Sequence, residues 1–506
     1  MGRRLYVDVR AGLALVGTLL ALLSVAFVLP ILVSLWYGGE DLLEFVVSMV
    51  VTAAFGLVLR ELDPNPKPGA REAFFVVAFT WLFATLFGAL PYILAGTGSI
   101  AQPINAIFES MSGFTTTGAT VMETISVEEH SHAIMMWRQL TQWLGGMGII
   151  VLAVAILSQL AVGGAQLMEA ETPGPGISKL TPHIAETARV LWFAYLGFTV
   201  LFIVLLYCLQ VTGYATEMTL YNAIAHGLTA LPTGGFSPKG ESIAAFSPVV
   251  QWLFVPFLFI AGINFVLWWH MISGDRWALV RDTEFRFYLG AATLFTLIGT
   301  GILFFETTGA GFSNSIESAF RHAAFQIVSM MNSTGYASTD FNNWAGPAQA
   351  LLLFVMFLGG STGSTGGGIK MLRWLVILKS LRREVFTSIH PEAVRPVRMN
   401  GSVLDEDAIR GIYAFTLLYF VLFFVGILLL AVDTARIGYN IGTIDLVSAS
   451  IATLGNIGPG FGAVGPMENY ASFPWSSKLL MVLYMWLGRL EIFPVLVLLT
   501  QAYWRS

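Results

Sequence analysis

Apolar residues run along this chain in blocks rather than in stripes. Stretches free of Asp, Glu, Lys and Arg extend from Ala11 to Gly39, Ala73 to Phe108, Gln139 to Met168, Val190 to Thr216 and Phe341 to Ile369. At about 1.5 Å per helical residue, each is long enough to cross the roughly 30 Å of bilayer hydrocarbon. The pattern predicts ten crossings, at residues 12–36, 42–60, 73–97, 138–162, 188–212, 249–272, 286–305, 347–378, 408–432 and 475–501. The first is read as a retained helix, because it is too long for a signal-peptide core and no small-residue cleavage site closes it.

Between the later crossings lie four apolar segments too short to span: "PINAIFESMSGFTTTGAT", "LYNAIAHGLTALPTGGFS", "FRHAAFQIVSMMNSTGYAS" and "IDLVSASIATLGNIGPGF". Registered on Gly118, Gly235, Gly335 and Gly458, they superimpose. Thirteen residues upstream stand Asn105, Asn222, His322 and Asp445; six upstream are the small Ser112, Thr229, Ser329 and Ala452; four upstream are the apolar Phe114, Leu231, Met331 and Leu454. One unit of crossing, short helix, glycine turn and crossing is therefore read four times. Each unit starts and ends on the same side, so all four share an orientation. The predicted fold class is an all-α membrane protein of four parallel helix–pore loop–helix repeats around a central pore, preceded by two extra transmembrane helices. The expected division is a two-helix domain at 1–68, ended by the proline-rich "DPNPKP" linker, then repeats at 69–180, 181–282, 283–400 and 401–506.

Composition agrees with the pattern. Of 506 residues, 56% are hydrophobic and 11% charged, which sets the chain apart from soluble domains. Cys208 is the only cysteine, so no internal disulfide exists. The basic clusters Arg3, Arg4, Arg10; Arg60, Lys67, Arg71; Arg276, Arg281, Arg286; and Lys370 to Arg410 all fall on one side if the N-terminus is cytoplasmic. The intervening loops carry Glu123, Glu128, Glu129, Glu217, Glu241, Asp340 and Glu468. This is the positive-inside distribution, with both termini cytoplasmic.

Backbone that turns back at membrane depth is tolerated only where it is buried in protein or lines a wet cavity. The triplets ending on the anchor glycines are Thr116, Thr117, Gly118; Thr233, Gly234, Gly235; Ser333, Thr334, Gly335; and Asn456, Ile457, Gly458. Glycine permits positive φ, so successive carbonyls can face one axis, and four such strands would stack oxygen rings that replace a cation's hydration shell. Each short helix would point its partially negative C-terminus at the same place. No feature of this design suits an anion.

The four turns, "TTTGAT", "LPTGGFSP", "NSTGYAST" and "ATLGNIGPGF", resemble the pore loops of the Trk/Ktr/HKT superfamily of potassium transporters, nearest to the bacterial TrkH/TrkG-type membrane subunits with their two extra N-terminal helices. The resemblance covers essentially the whole chain. It implies potassium uptake through a channel-like pore in the bacterial inner membrane, with K⁺ at the twelve triplet residues, no cofactor, a homodimer with one pore per protomer, and a cytosolic nucleotide-binding regulatory subunit of TrkA type. Relatives that prefer sodium carry serine at the first-turn glycine, where this chain has Gly118. Asn456 departs from the threonine or serine of the pattern, and Pro459 follows the fourth glycine, so the fourth turn is the odd one.

In "ALLLFVMFLGGSTGSTGGGIKMLRWLVIL" the apolar run from Ala350 to Leu358 covers only about 14 Å before glycine begins. The helix is expected to break within the membrane over Gly359, Gly360, Ser361, Thr362, Gly363, Ser364, Thr365, Gly366, Gly367 and Gly368, forming a gating loop beneath the turns, with Lys370 at its end. A phosphate-binding loop is excluded, since Lys370 lies between Ile369 and Met371 rather than in the order G-K-[ST]. A plain cytoplasmic linker is the alternative and would leave the crossing short. The last crossing carries Arg489, where two other repeats have glycine ("LGG" at Leu144–Gly146 and Leu358–Gly360). It is expected to face the cavity, oppose cations and hold the loop through its carbonyls; an ion pair with Glu491 or a neighbouring helix is the alternative.

His130 and His132 stand in the acidic outer segment "EEHSHA", readable as a metal site or as solvated loop. The glycines of "WLGGMGI" read as helix packing. The Lys370–Arg410 stretch serves topology, and by resemblance also docks the regulatory subunit. No nucleotide site and no nucleic-acid partner are expected. An enzyme is not expected either, since no nucleophile–base pair or H-E-x-x-H cluster is present. A K⁺/Na⁺ or K⁺/H⁺ symporter is the alternative function; it typically relies on inverted repeats and mid-membrane acids.

Overall fold

A computed structural model describes residues 7–66, 68–157, 184–305, 312 and 315–505. Arg3, Arg4, Lys67, the end of the fourth predicted crossing and the repeat boundary at 180/181 lie outside the described residues. The chain opens with α1 (Val9–Ala26), α2 (Val28–Trp36) and α3 (Leu42–Arg60). Asp8 starts α1 by accepting hydrogen bonds from the N–H groups of Arg10 and Ala11, both at 3.1 Å. Where α1 crosses α3, a methyl group on Gly17 would press into the backbone of Gly56, and one on Gly56 into that of Ala21. Small residues there let two backbones touch, which is how helices associate when no water drives them together.

The third, fifth, seventh and ninth predicted crossings are α4 (Ala70–Gly88) with α5 (Leu90–Ala95), α8 (Ile184–Val211), α13 (Thr283–Phe305) and α17 (Glu406–Arg436), and the described part of the fourth lies in α7 (Val127–Leu157). Among the described residues six helical stretches are long and apolar enough to cross a membrane, or seven counting one bent pair. The chain is thus a mostly helical, multi-pass membrane protein.

Three of the crossings that follow a glycine turn are not continuous. Residues expected as one span at 249–272 form α10 (Pro248–Ala261) and α11 (Phe265–Ile272), bent by 94°, and the short α12 (Ala278–Arg281) follows. Asn264 makes the new start by accepting from Val266 N–H at 2.9 Å. The span at 347–378 forms α15 (Gly346–Val355) and α16 (Met371–Ile389), broken where glycines predict it. The span at 475–501 forms α19 (Trp475–Arg489), α20 (Phe493–Leu498) and α21 (Gln501–Trp504). Glu491 and Ile492 at its break have φ of 56° and 63°, a costly conformation for a β-branched residue. Apolarity predicts depth in the membrane but not continuity, so the first and last breaks were not legible.

Between the crossings lie the short helices α6 (Pro103–Phe114), α9 (Leu220–Ala230), α14 (Ile316–Met331) and α18 (Thr443–Leu454). Pro103 supplies a pre-formed first turn, and Thr219 and Ser315 cap α9 and α14. On the way to α17 the chain forms a two-stranded hairpin, β1 (Arg398–Met399) and β2 (Ser402–Val403). It packs with α16 and the start of α17 around Leu375, Val376, Met399 and Ile409.

Candidate functional site

The four short helices end alike. Thr116, Thr233, Ser333 and Asn456 have φ of 51°, 55°, 61° and 52°. Their N–H groups return to the carbonyls of Gly113, Ala230, Met330 and Thr453. The next N–H groups, of Thr117, Gly234, Thr334 and Ile457, return to Ser112, Thr229, Ser329 and Ala452. This pair of bonds is the Schellman termination, whose left-handed position is usually glycine. Threonine, serine and asparagine hold it here, at about 1–3 kcal/mol of backbone strain each. Two residues on, Gly118, Gly235, Gly335 and Gly458 are left-handed again, with φ of 82°, 77°, 78° and 97°. At those positions only glycine avoids the cost.

These glycines pack in a closed cycle. A methyl group on Gly118 would overlap the carbonyl oxygen of Gly234, one on Gly235 that of Thr334, and one on Gly335 that of Ile457. One on Gly458 would come within 2.5 Å of the carbonyl oxygen of Thr117. The first turn thus touches the second, the second the third, the third the fourth, and the fourth the first. All four glycines line one depression of about 90 Å³, which Glu123, Glu468, Arg138 and Lys239 also line.

Side chains brace the cycle from behind. Gln142 donates through Nε2 to the Gly234 carbonyl at 2.6 Å and accepts from Phe236 N–H at 3.1 Å. Tyr470 donates to the Gly458 carbonyl at 2.7 Å. Asn456 Nδ2 donates to Thr117 Oγ1 at 3.0 Å and to the Met485 carbonyl at 2.8 Å. Thr116 Oγ1 and Asn456 Oδ1 are buried without a hydrogen-bond partner. The expected glycine packing also holds: a methyl on Gly145 would overlap the Phe114 carbonyl, and one on Gly488 the Leu454 carbonyl. The "LGG" at Leu144–Gly146 and the "LGR" ending at Arg489 therefore occupy equivalent places against their own turns, whereas Gly359 of the other "LGG" meets Gly367 O and Ile369 O of its own loop.

The segment from Gly359 to Lys370 leaves α15 and comes back to its starting point. Its neck is closed by Gly359 N–H to Ile369 O at 2.8 Å and Met371 N–H to Gly360 O at 3.1 Å, which is incompatible with an extended linker. Its tip docks on the break between α10 and α11, with Ser361 N–H to Gly262 O at 2.8 Å and Phe265 N–H to Gly363 O at 3.2 Å. Glu284, at the start of α13, accepts from Thr362 N–H at 2.6 Å and Leu372 N–H at 3.0 Å. The return arm lies against the helix ends: Thr365 Oγ1 donates to Leu231 O at 2.8 Å, and Gly367 N–H to Ser333 Oγ at 2.5 Å. A methyl on Gly366 would press on Asn332 O and one on Gly367 on Gly455 O. Lys370 folds back onto the Gly366 carbonyl.

Arg489 is buried and donates to Thr365 O at 2.7 Å and Gly145 O at 3.3 Å. It therefore joins the loop to α7. Glu491, its expected alternative partner, instead pairs with Arg373 at 2.6 Å, whose guanidinium also covers the Phe415 ring at 3.8 Å. The twelve triplet residues, the loop and Arg489 are thus brought together. His130 and His132 are not in solvated loop: His130 is fully buried beside Thr97 Oγ1 at 3.2 Å, and His132 stacks on Tyr37 with centroids 3.7 Å apart. Burial holds the His130 pKa below the usual imidazole range. Gln142, Tyr470, Glu284, Glu109 and Arg138 went unnoticed in the sequence. Only Glu109, a charge inside the otherwise apolar "AIFESMSGF", left a signal there.

Short helices that meet at glycine turns within a multi-pass membrane protein place the chain among membrane transport proteins. The family model for TrkH, described as a cation transport protein, matches residues 42–506, and this chain belongs to that family. The Trk system potassium uptake protein TrkH of Halomonas elongata is 37% identical over 511 residues, covering 99% of this chain and all of that one. The Trk system potassium uptake protein TrkG of Escherichia coli is 33% identical, covering 97% of each. The crystal structure of the potassium transporter TrkH from Vibrio parahaemolyticus superimposes with a TM-score of 0.85 at 34% identity, covering 98% of this chain and 99% of that one.

Proposed function

We propose that this chain is the membrane subunit of a potassium uptake system of the bacterial inner membrane, with both termini cytoplasmic. Four parallel repeats, with the boundaries 69–180, 181–282, 283–400 and 401–506, surround one pore behind the two-helix domain of residues 1–68. The triplets 116–118, 233–235, 333–335 and 456–458 form its selectivity filter, and K⁺ is the transported substrate. The observation that carries this reading is the closed cycle of contacts among Gly118, Gly235, Gly335 and Gly458. Four backbone strands that meet pairwise around a point give a dehydrating cation equivalent oxygens on every side. Segment 359–370 is the gate, held shut against the helix ends by Arg489, whose charge also opposes cation entry. The relatives' names support potassium as the ion. The protein works as a homodimer, and a cytosolic nucleotide-binding subunit of TrkA type docks on the basic face formed by α16 and the hairpin.

Purified protein in liposomes tests the reading. Potassium influx down its own gradient is expected with no imposed sodium or proton gradient. A strict requirement for either gradient would instead establish a symporter.

A further inference from the structure

Among the described residues, one ion pair away from the loop has both side chains buried. Glu109 of α6 and Arg138 of α7 meet at 2.6 Å, with side chains 0% and 2% exposed. Both are committed to the segments that leave the first two turns. Glu109 accepts from Thr120 Oγ1 at 2.9 and 3.1 Å and from Val121 N–H at 2.9 Å, just past Gly118. Arg138 Nη1 donates to the Ser237 carbonyl at 3.0 Å, just past Gly235, and its guanidinium lies 3.5 Å over the Phe236 ring. His226 stands in α9 at the register Glu109 holds in α6, and its Nε2 meets Ser237 Oγ at 3.1 Å. The same register in α14 and α18 holds Gln326 and Ala449, neither of them charged.

Two of the four quarters therefore share a charged clamp and two do not. A buried ion pair is a poor source of stability, because desolvating both groups offsets most of their attraction. What it supplies is fixed geometry, since a forked guanidinium and a carboxylate accept few alternative arrangements. Discrimination between cations of different radius depends on how firmly the oxygens are held at their spacing.

We infer that Glu109 and Arg138 are positioning residues for ion selectivity, a clamp that fixes the exits of the first and second turns and so the spacing of the oxygens between them. The inference rests on the filter reading above. Arg138→Lys keeps the charge but loses the fork that reaches both Glu109 and Ser237. Thr120→Val removes one bond to Glu109 without burying an unpaired charge, and so keeps the test open if the arginine variant does not fold. Each variant would be reconstituted in liposomes alongside Gly118→Ala, and ⁸⁶Rb⁺ and ²²Na⁺ uptake measured per folded protein. The expected result is a fall in the Rb⁺/Na⁺ ratio, roughly tenfold for Arg138→Lys and smaller for Thr120→Val, caused by increased Na⁺ entry. An unchanged ratio in both, or an equal fall in both fluxes as a merely obstructed mouth would give, overturns the inference. If Gly118→Ala also leaves the ratio unchanged, the filter reading fails. If Gly118→Ala alone lowers it, the filter stands and only the clamp is refuted.

Discussion

Asn456 Nδ2 donates a hydrogen bond to Thr117 Oγ1 at 3.0 Å across 339 residues of chain, and with it the last turn closes onto the first. The residue that looks anomalous beside the threonines and serine of the other turns is the one that makes the seam. Its second bond, to the Met485 carbonyl, ties the seam to α19.

Asn456→Ala removes both bonds, and with them the side-chain tie of the last turn to the first and to α19, at a cost of about 0.5–1.5 kcal/mol per bond. A lower thermal midpoint in detergent is expected together with reduced K⁺ over Na⁺ discrimination. A lower midpoint with wild-type discrimination would mean that the seam supports the fold alone.

Gly118→Ser and Gly458→Ser place a side chain against a neighbouring turn at a left-handed backbone position. Each is expected to cut K⁺ over Na⁺ selectivity by on the order of tenfold, equivalent to about 1.4 kcal/mol. Flux ratios in liposomes check this, and unaltered selectivity in both would remove the filter assignment.

Deleting Gly359 to Gly368 is expected to raise basal potassium flux. Glu284→Ala should do the same in part, because the loop tip and the start of α16 both hang on that carboxylate. Glu284→Gln keeps an acceptor oxygen and should stay close to wild type. Equal flux in all three would argue against a gate at this position.

Arg489→Ala frees Thr365 O and Gly145 O and removes a positive charge from the proposed path. Faster permeation is the expected outcome in a flux assay. Arg489→Lys separates the two contributions: slow permeation points to the charge, fast permeation to the forked bonds. Loss of folded protein with no gain in flux would mark the residue as structural.

Gly17→Val at the α1–α3 crossing forces two backbones apart, with an overpacking cost of about 1–3 kcal/mol. Thermal stability should fall while ion selectivity holds, because the crossing lies outside the cycle of turns. A selectivity change would show that the two-helix domain acts on the pore.

The blocks of apolar residues announced the crossings because a bilayer demands unbroken hydrophobic length. The four registered segments announced the turns because each must end a helix in the same way. Gly359–Gly368 was legible as a break, since so much glycine cannot stay helical. The bend at Gly262–Asn264 was not, because its backbone groups are satisfied by Ser361 and Gly363, nearly one hundred residues away. Nor was the kink at Glu491–Ile492, where an ordinary sequence adopts a left-handed backbone. Gln142 and Tyr470 were hidden for the same reason: nothing local distinguishes a side chain that braces a distant carbonyl.

The docking of the 359–370 segment on the α10–α11 bend has one more consequence. Ser361 N–H, Gly262 O, Phe265 N–H and Gly363 O satisfy one another. Moving the segment away orphans all four at once, inside a region where lipid offers no replacement. On the gate reading proposed above, water must take their place, so the conducting state is a hydrated one, and opening is a wetting transition as much as a mechanical displacement.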